Sequence, residues 1–260
     1  MKLQRIAAGF QVGTLKIEIH PTREAAGEAA ARAAATTLRE LAEDGDFAVI
    51  FATGASQLET LRALTSIPGL PWHRVAGFHM DEYIGIPPEH QASFRRYLRE
   101  NLTDRAPLRE FHGIDGQADP ETVCREYAAK LGAYAPKLCL LGIGENGHLA
   151  FNDPGEANFE DPLDMRVVKL DAVCRQQQLA EGWFPTFDDV PDHALTLTIP
   201  ALFRVPKLIA SVPGPRKAHI VRRTLEEPIS TACPATILRT HPDATVYLDQ
   251  ESAAELKDWT

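Results

Sequence analysis

Six consecutive apolar residues, Phe47-Ala48-Val49-Ile50-Phe51-Ala52, stand between a helical pattern and the polar turn Thr53-Gly54-Ala55-Ser56-Gln57. An apolar run of strand length with no polar gap has to be buried on both faces, the condition of an interior strand in a parallel sheet covered by helices. The flanking patterns agree. Leu15 to His20 alternates like a half-buried strand, and the Ala-rich stretch from Arg23 to Glu43 reads as a long helix stopped by Asp44-Gly45. Leu58 to Leu64 is helical, Val75 to Met80 a strand, and Ala92 to Leu102 a helix with Phe94, Tyr97 and Leu98 on one face. A helix over 121–133 leads into the strand Leu138–Leu141. Further strands are predicted at Arg166–Leu170, Lys207–Ser211 and Thr245–Leu248, and further helices over 172–181, 215–226 and 250–257. Alternation of this kind predicts an α/β chain with a single doubly wound, mostly parallel sheet and helices on both faces, in the modified Rossmann-like manner. The polar segment 152–165 carries two prolines and reads as a long loop, so a lid segment is expected near 152–181. With no repeat and no linker to divide it, 1–260 reads as one domain.

Charge narrows the partners. With 27 Lys and Arg against 36 Asp and Glu, the net charge is −9. Such a surface repels nucleic acid and anionic lipid, and no cluster of basic residues offsets it. A locally positive pocket for a small anion is still compatible with that balance. No apolar stretch reaches the length of a membrane span, and Met1 to Gln11 is too short and polar for a signal-peptide core, which together favour the cytoplasm. Cys124, Cys139, Cys174 and Cys233 form no CxxC pair and have no His partner at zinc spacing, so they read as small buried thiols and no metal is expected.

Ligands of open α/β sheets bind beyond the carboxyl ends of the strands. Four polar, Gly-containing or acidic segments fall there: Thr53–Gln57, Asp81-Glu82-Tyr83, Gly142–His148 and Gly214-Pro215-Arg216-Lys217. The first joins a buried strand to a helix, so its backbone N–H groups and the helix end can hold an anion, with Thr53 and Ser56 adding hydroxyls. The same residues would also make an ordinary helix start capped by Ser56. The turn has neither the Lys of a P-loop nor the glycines of a dinucleotide site, so no nucleotide cofactor is implied. Asp81 at a strand end is a candidate general base, or a solvated loop carboxylate. Three glycines within 142–147 imply a tight loop that presents His148, with Asp153 five residues on able to orient the imidazole; Asn146 can hydrogen-bond but cannot act as acid or base. Arg175 and Lys217 are candidates for phosphate charge, or surface cations.

Two of these segments resemble the glucosamine-6-phosphate deaminase/isomerase family, which shares a superfamily with the 6-phosphogluconolactonases. Phe78-His79-Met80-Asp81-Glu82-Tyr83-Ile84-Gly85 is similar to the family's signature around its catalytic Asp. Gly142-Ile143-Gly144-Glu145-Asn146-Gly147-His148-Leu149-Ala150-Phe151-Asn152-Asp153-Pro154 is similar to its G-x-G-x-[ND]-G-H-x-[AG]-F-N-E-P signature. The resemblance runs from about residue 15 to the C-terminus. It implies cofactor-free conversion of an amino-sugar 6-phosphate and water to fructose 6-phosphate and ammonia. His148, Asp153 and Asn146 would serve ring opening and Asp81 the proton transfer; Thr53, Gly54, Ala55, Ser56, Gly144, Arg175 and Lys217 would hold substrate and phosphate. A homo-oligomer is compatible with the family.

The chain departs from the pattern in three places. The usual phosphate turn T-G-S-T-P has Ala55 and Gln57 at its Ser and Pro positions, which removes one hydroxyl. The Glu that supports the catalytic His is Asp153, one methylene shorter, expected to reach the imidazole only through a loop shift or a water. Residues 152–165 do not match the Ser/Arg-rich segment that binds an amino-sugar activator in some members, so no such activation is expected. Two rival functions are a 6-phosphogluconolactonase-like hydrolase and a sugar-phosphate-binding regulator without catalysis. Lactonases read D-E-R at the strand end and T-A-S-L-F-P after G-H, whereas Asp81-Glu82-Tyr83 and Leu149–Pro154 follow the deaminase pattern. Asp81 and His148 together argue against the regulator.

Overall fold

The structure is a computed structural model that describes residues 4–6 and 9–256. Twelve strands and seven α-helices follow one another in chain order: β1 Gln4–Ile6, β2 Gly9–Val12, β3 Leu15–His20, α1 Arg23–Leu41, β4 Phe47–Phe51, α2 Leu58–Ser66, β5 Val75–His79, β6 Asp81–Tyr83, α3 Phe94–Leu98, β7 Glu110–His112, α4 Pro120–Tyr134, β8 Leu138–Leu141, β9 Met165–Lys169, α5 Ala172–Ala180, β10 His193–Leu197, α6 Ile199–Phe203, β11 Lys207–Ser211, α7 Ala218–Glu226 and β12 Ala244–Asp249. The main sheet has nine strands in the order β1-β2-β3-β12-β11-β8-β4-β5-β7. From β3 to β7 every neighbouring pair is parallel, and β1 and β2 add an antiparallel edge.

The apolar run at β4 behaves as its pattern requires. Ala48 and Ile50 enter one core, with Tyr127 and Leu131 of α4 and Ile220, Val221 and Leu225 of α7. Phe47, Val49 and Phe51 enter the other, with the alanines of α1, Leu61 and Leu64 of α2, and Tyr97 and Leu98 of α3. Alternate side chains of one strand thus fill two cores, which places helices on both faces. Alanines let α1 lie close to the sheet. At Gly27 a Cβ would come within 2.5 Å of Glu59 Cβ, so only glycine lets α1 cross α2 at this separation. Thr22 caps α1 and Asp119, followed by Pro120 at the first helical position, caps α4.

Several elements differ from the sequence reading. The strand expected at 166–170 forms as β9, but in a second, three-stranded antiparallel sheet of order β6-β10-β9. Its partner β10, where Leu195 and Leu197 alternate with threonines, was not predicted from the sequence, nor were the edge strands β1 and β2 and the short β7. The helix expected over 92–102 is α3, which widens into a π-turn at Arg99–Thr103. Instead of a helix over 250–257, residues 250–255 form turns; residue 257 lies outside the described residues. Residues 152–164 form the expected loop, tied down by Arg166 to Glu156 and Asp161. Among the described residues no helix is long and apolar enough to cross a membrane.

Candidate active site

The carboxyl ends of β11, β8, β4 and β5, neighbours in the sheet, surround a cleft of about 240 Å³. All four predicted segments line it: Thr53 to Ser56, Asp81, Gly142 to Glu145 with His148, and Gly214 to Lys217. The chain order reverses across these strands, since β3 and β4 are separated by β12, β11 and β8, so the cleft lies at a topological switch point.

Two of its walls repeat one local design. Gly54 has φ 92° and Gly214 has φ 94°, a region that side chains disfavour, and each opens a three-residue 3-10 turn leading into a nine-residue helix. Tyr97 Oη donates to Gly54 O at 2.9 Å, and Gly214 N donates to Asp249 Oδ2 at 2.9 Å. Ser56 does not cap α2 through its side chain. Gln57, at the position where the family carries Pro, is buried, and its Nε2 donates to Ser56 Oγ, Leu141 O and Ser211 O, bracing the turn against β8 and β11. The altered turn is therefore held by a different device, with its backbone still facing the cleft.

Asp81 sits where the main sheet hands over to the small one. Its backbone is fixed by the β6–β10 pairing opposite Thr196 and by Leu197 N donating to Met80 O at 2.7 Å. The carboxyl is buried, and Oδ1 has no hydrogen-bond partner among the described residues. Burial, with a smaller push from the neighbouring Glu82 charge, raises its pKa well above the ordinary carboxylate range. Glu82 is structural. Its carboxylate accepts from Tyr83 N, Ser93 Oγ, Phe94 N and Arg95 N, closing the start of α3. His79 is structural too: burial and the Arg95 charge push its pKa down to about 3, and its Nε2 accepts from Ile114 N at 2.7 Å.

His148 lies directly on Gly144, where a Cβ would be 2.2 Å from the imidazole Nε2 and Cε1. Asp153 is fully buried, and its Oδ1 is 2.9 Å from His148 Nδ1, so the shorter carboxylate reaches the imidazole with neither loop shift nor water. Burial works to raise the Asp153 pKa, but His148 and the Asn146 and Asp171 hydrogen bonds outweigh it and hold it below the usual range. Asn146 is the hub behind the pair. Its Nδ2 donates to Asp153 Oδ1 and Asp171 Oδ2, and its Oδ1 accepts from His148 N. Cys174 also comes close, with its Sγ within 4.8 Å of a ligand-type atom on His148 and Asp153, a proximity that spacing along the chain could not reveal. Burial first, then the charges of Asp153 and Asp171, push the Cys174 thiol up, which leaves it a weak ligand for a metal.

Lys217 and Arg175 part company. Lys217 is buried in the cleft, with Nζ donating to Ile143 O at 2.7 Å. Arg175 does not line the cleft: it points from α5 to the carbonyls of Phe187 and Val190 and lies 4.2 Å over the Phe187 ring. The cleft cations that sequence reasoning missed are Arg23, bonded to Glu59 and Ala55 O, and Arg216, 2.6 Å from Glu145. From α5 and the residue that ends it come Gln177, Gln178 and Glu181. Arg216 was legible as part of the Gly214–Lys217 turn; Arg23, at the first residue of a helix, carried no local signal.

The fold and this cleft match one class of proteins. A family model described as glucosamine-6-phosphate isomerases/6-phosphogluconolactonase covers residues 21–247, and the chain belongs to that family. A glucosamine-6-phosphate deaminase from Bacillus thuringiensis (strain Al Hakam) is 36% identical over 202 residues, 77% of this chain and 75% of the relative. The solved structure of a monomeric glucosamine-6-phosphate deaminase superposes with a TM-score of 0.85 at 30% identity, covering 92% of this chain and 99% of that one. A 6-phosphogluconolactonase from Thermotoga maritima shares the fold, with a TM-score of 0.73 at 21% identity over 90% of this chain and 99% of that one.

Proposed function

We propose that the chain is an isomerising deaminase of an amino-sugar 6-phosphate, converting glucosamine 6-phosphate and water to fructose 6-phosphate and ammonia. The observation that carries this reading is the buried Asp81 carboxyl facing the same cleft as a His148–Asp153 pair and two Gly-initiated anion turns. The phosphate rests on Thr53, Gly54, Ala55 and Ser56 and on Lys217; Arg23 and Arg216, paired with Glu59 and Glu145, also line the cleft. With Asp153 Oδ1 2.9 Å from His148 Nδ1, Nε2 is the nitrogen left to carry a proton between O1 and O5 as the pyranose ring opens, and Gly144 leaves room for it. Asn146 acts by holding Asp153 and His148 in register. Asp81 then takes the proton from C2 and returns it to C1 through an enolamine. The C1 aldehyde and C2 amine become a C1 hydroxymethyl and a C2 imine, water adds to C2, and ammonia leaves. Burial suits Asp81 to this, because a carboxylate of raised pKa is a stronger base.

A lactonase of the same fold needs an activated water rather than a base at carbon, and the relatives at 30% identity or more support the deaminase. The cytoplasm expected from the sequence remains part of this proposal. The test offers purified protein glucosamine 6-phosphate, galactosamine 6-phosphate and 6-phosphogluconolactone in parallel. Turnover of an amino sugar with ammonia release is expected; hydrolysis of the lactone alone would replace the reading with its rival, and tight binding without turnover would favour the regulator.

A further inference from the structure

Among the described residues three carboxylates line the cleft: Asp81, Glu145 and Glu181. Asp81 is the base of the proposed reaction, and Glu145 is committed to Arg216 at 2.6 Å. Glu181 makes no ion pair among the described residues, yet both its oxygens are fixed: Oε1 accepts from Gln177 Nε2 at 2.8 Å and Oε2 from Trp183 Nε1 at 3.0 Å. Both donors are neutral, so they orient the carboxylate without cancelling its charge. Gln177 is itself held, its Oε1 accepting from Glu145 N at 3.1 Å. Lys217, whose ammonium feels the Glu181 charge, directs Nζ to Ile143 O and forms no ion pair with Glu181 among the described residues. Beside Glu181, Gln178 is only 6% exposed and lines the cleft, with no hydrogen bond to its amide among the described residues.

Charge in the cleft is therefore divided by element. The cations stand at the start of α1, where Arg23 pairs with Glu59, and on the Gly214 turn, where Arg216 pairs with Glu145 beside Lys217, while α5 and the residue that ends it contribute two amides and a carboxylate without an ion pair among the described residues. The one cation of α5 that the sequence suggested for phosphate, Arg175, is turned away to Phe187 and Val190. A ligand matching this division carries an anion at one place and a cation at another. A preoriented carboxylate with lone pairs to spare suits an ammonium better than a hydroxyl, because bonds with a charged donor are roughly twice as strong as neutral ones.

We propose that Glu181, backed by Gln177 and Trp183, is the subsite that holds the substrate's ammonium and makes the cleft choose amino-sugar over neutral sugar phosphates, with the Gln178 amide taking a neighbouring hydroxyl. This deepens the reading above and rests on it, since it takes a sugar phosphate as the occupant of the cleft.

The test compares binding of two open-chain analogues that cannot react, 2-amino-2-deoxyglucitol 6-phosphate and glucitol 6-phosphate, to the intact protein and to Glu181→Gln by calorimetry. The intact protein is expected to prefer the amino compound by about tenfold or more. Glu181→Gln is expected to bring the two within about twofold, through loss of affinity for the amino compound alone. Unchanged affinity for glucitol 6-phosphate serves as the check on folding, and Trp183→Phe, which frees Oε2, is expected to lie between. Equal binding of the two analogues by the intact protein, or an undiminished preference in Glu181→Gln, would overturn the ammonium subsite while leaving the deaminase reading standing. Binding of neither analogue by the intact protein would overturn both.

Discussion

Burying a carboxyl whose Oδ1 finds no partner sets the chemistry of Asp81 against its contribution to the fold. Its pKa is raised, so between the ordinary carboxylate pKa and the raised one the folded chain holds a proton that the unfolded chain has lost. Folding stability therefore falls as pH rises across that window. Asp81→Asn should remove this dependence and raise Tm at neutral pH, by about 2–4 °C for each kcal/mol gained, as melting curves across pH would read. The same substitution should lower kcat by about 10²- to 10⁴-fold while sugar-phosphate binding persists. In the intact enzyme, activity should fall as pH drops through the raised Asp81 pKa, an acid limb lying above the range of an ordinary carboxylate. At Gly144, an added Cβ would occupy the place of the imidazole, so Gly144→Ala should displace His148 and reduce kcat with little change in Tm. Asp153 is fully buried, so the extra methylene of Asp153→Glu should cost about 1–3 kcal/mol through overpacking, read as a lowered Tm.

Among the elements, α3 depends on one buried side chain. Glu82 accepts from Phe94 N, Arg95 N and Ser93 Oγ at the start of that helix and from Tyr83 N of its own strand, and Phe94 lines the cleft. Glu82→Ala leaves those donors unsatisfied at about 1–3 kcal/mol for each buried group, so it should lower Tm and raise KM together. Elements with a strong periodicity of their own were legible in the sequence. The run at β4, the alanine stripe of α1 and the turns after β4, β8 and β11 all stand where their patterns put them. What stayed hidden was decided by distant partners. Nothing local to Met165–Lys169 says that it pairs with His193–Leu197 in a second sheet, and the alternation of Leu195 and Leu197 with threonines marks β10 as a strand without saying that β6 and β9 flank it. The direction of Arg175 is of the same kind, because its choice between cleft and Phe187 is made by a loop twelve residues on. Asp153 was legible as the supporter of His148 but its reach was not, since that is fixed by Asn146 and Asp171.

Across the whole molecule, a net charge of −9 surrounds a cleft to which the strand-end turns and the start of α1 bring Arg23, Arg216 and Lys217. An anion bound there stabilises the folded chain by mass action, about 2.7 kcal/mol at a hundredfold excess over Kd. A 6-phosphorylated amino sugar should therefore raise Tm by several degrees, and the same sugar without phosphate should leave it unchanged. Lys217→Ala should shrink that rise and raise KM. The most direct measurement is the yield of products from glucosamine 6-phosphate with the purified chain and with Asp81→Asn. Ammonia and fructose 6-phosphate in equal amounts from the intact chain, and neither from a variant that still binds the sugar, is the expected result. Full activity in Asp81→Asn, or a chain that binds the sugar and releases no ammonia, would contradict the assignment of this cleft to deamination through Asp81.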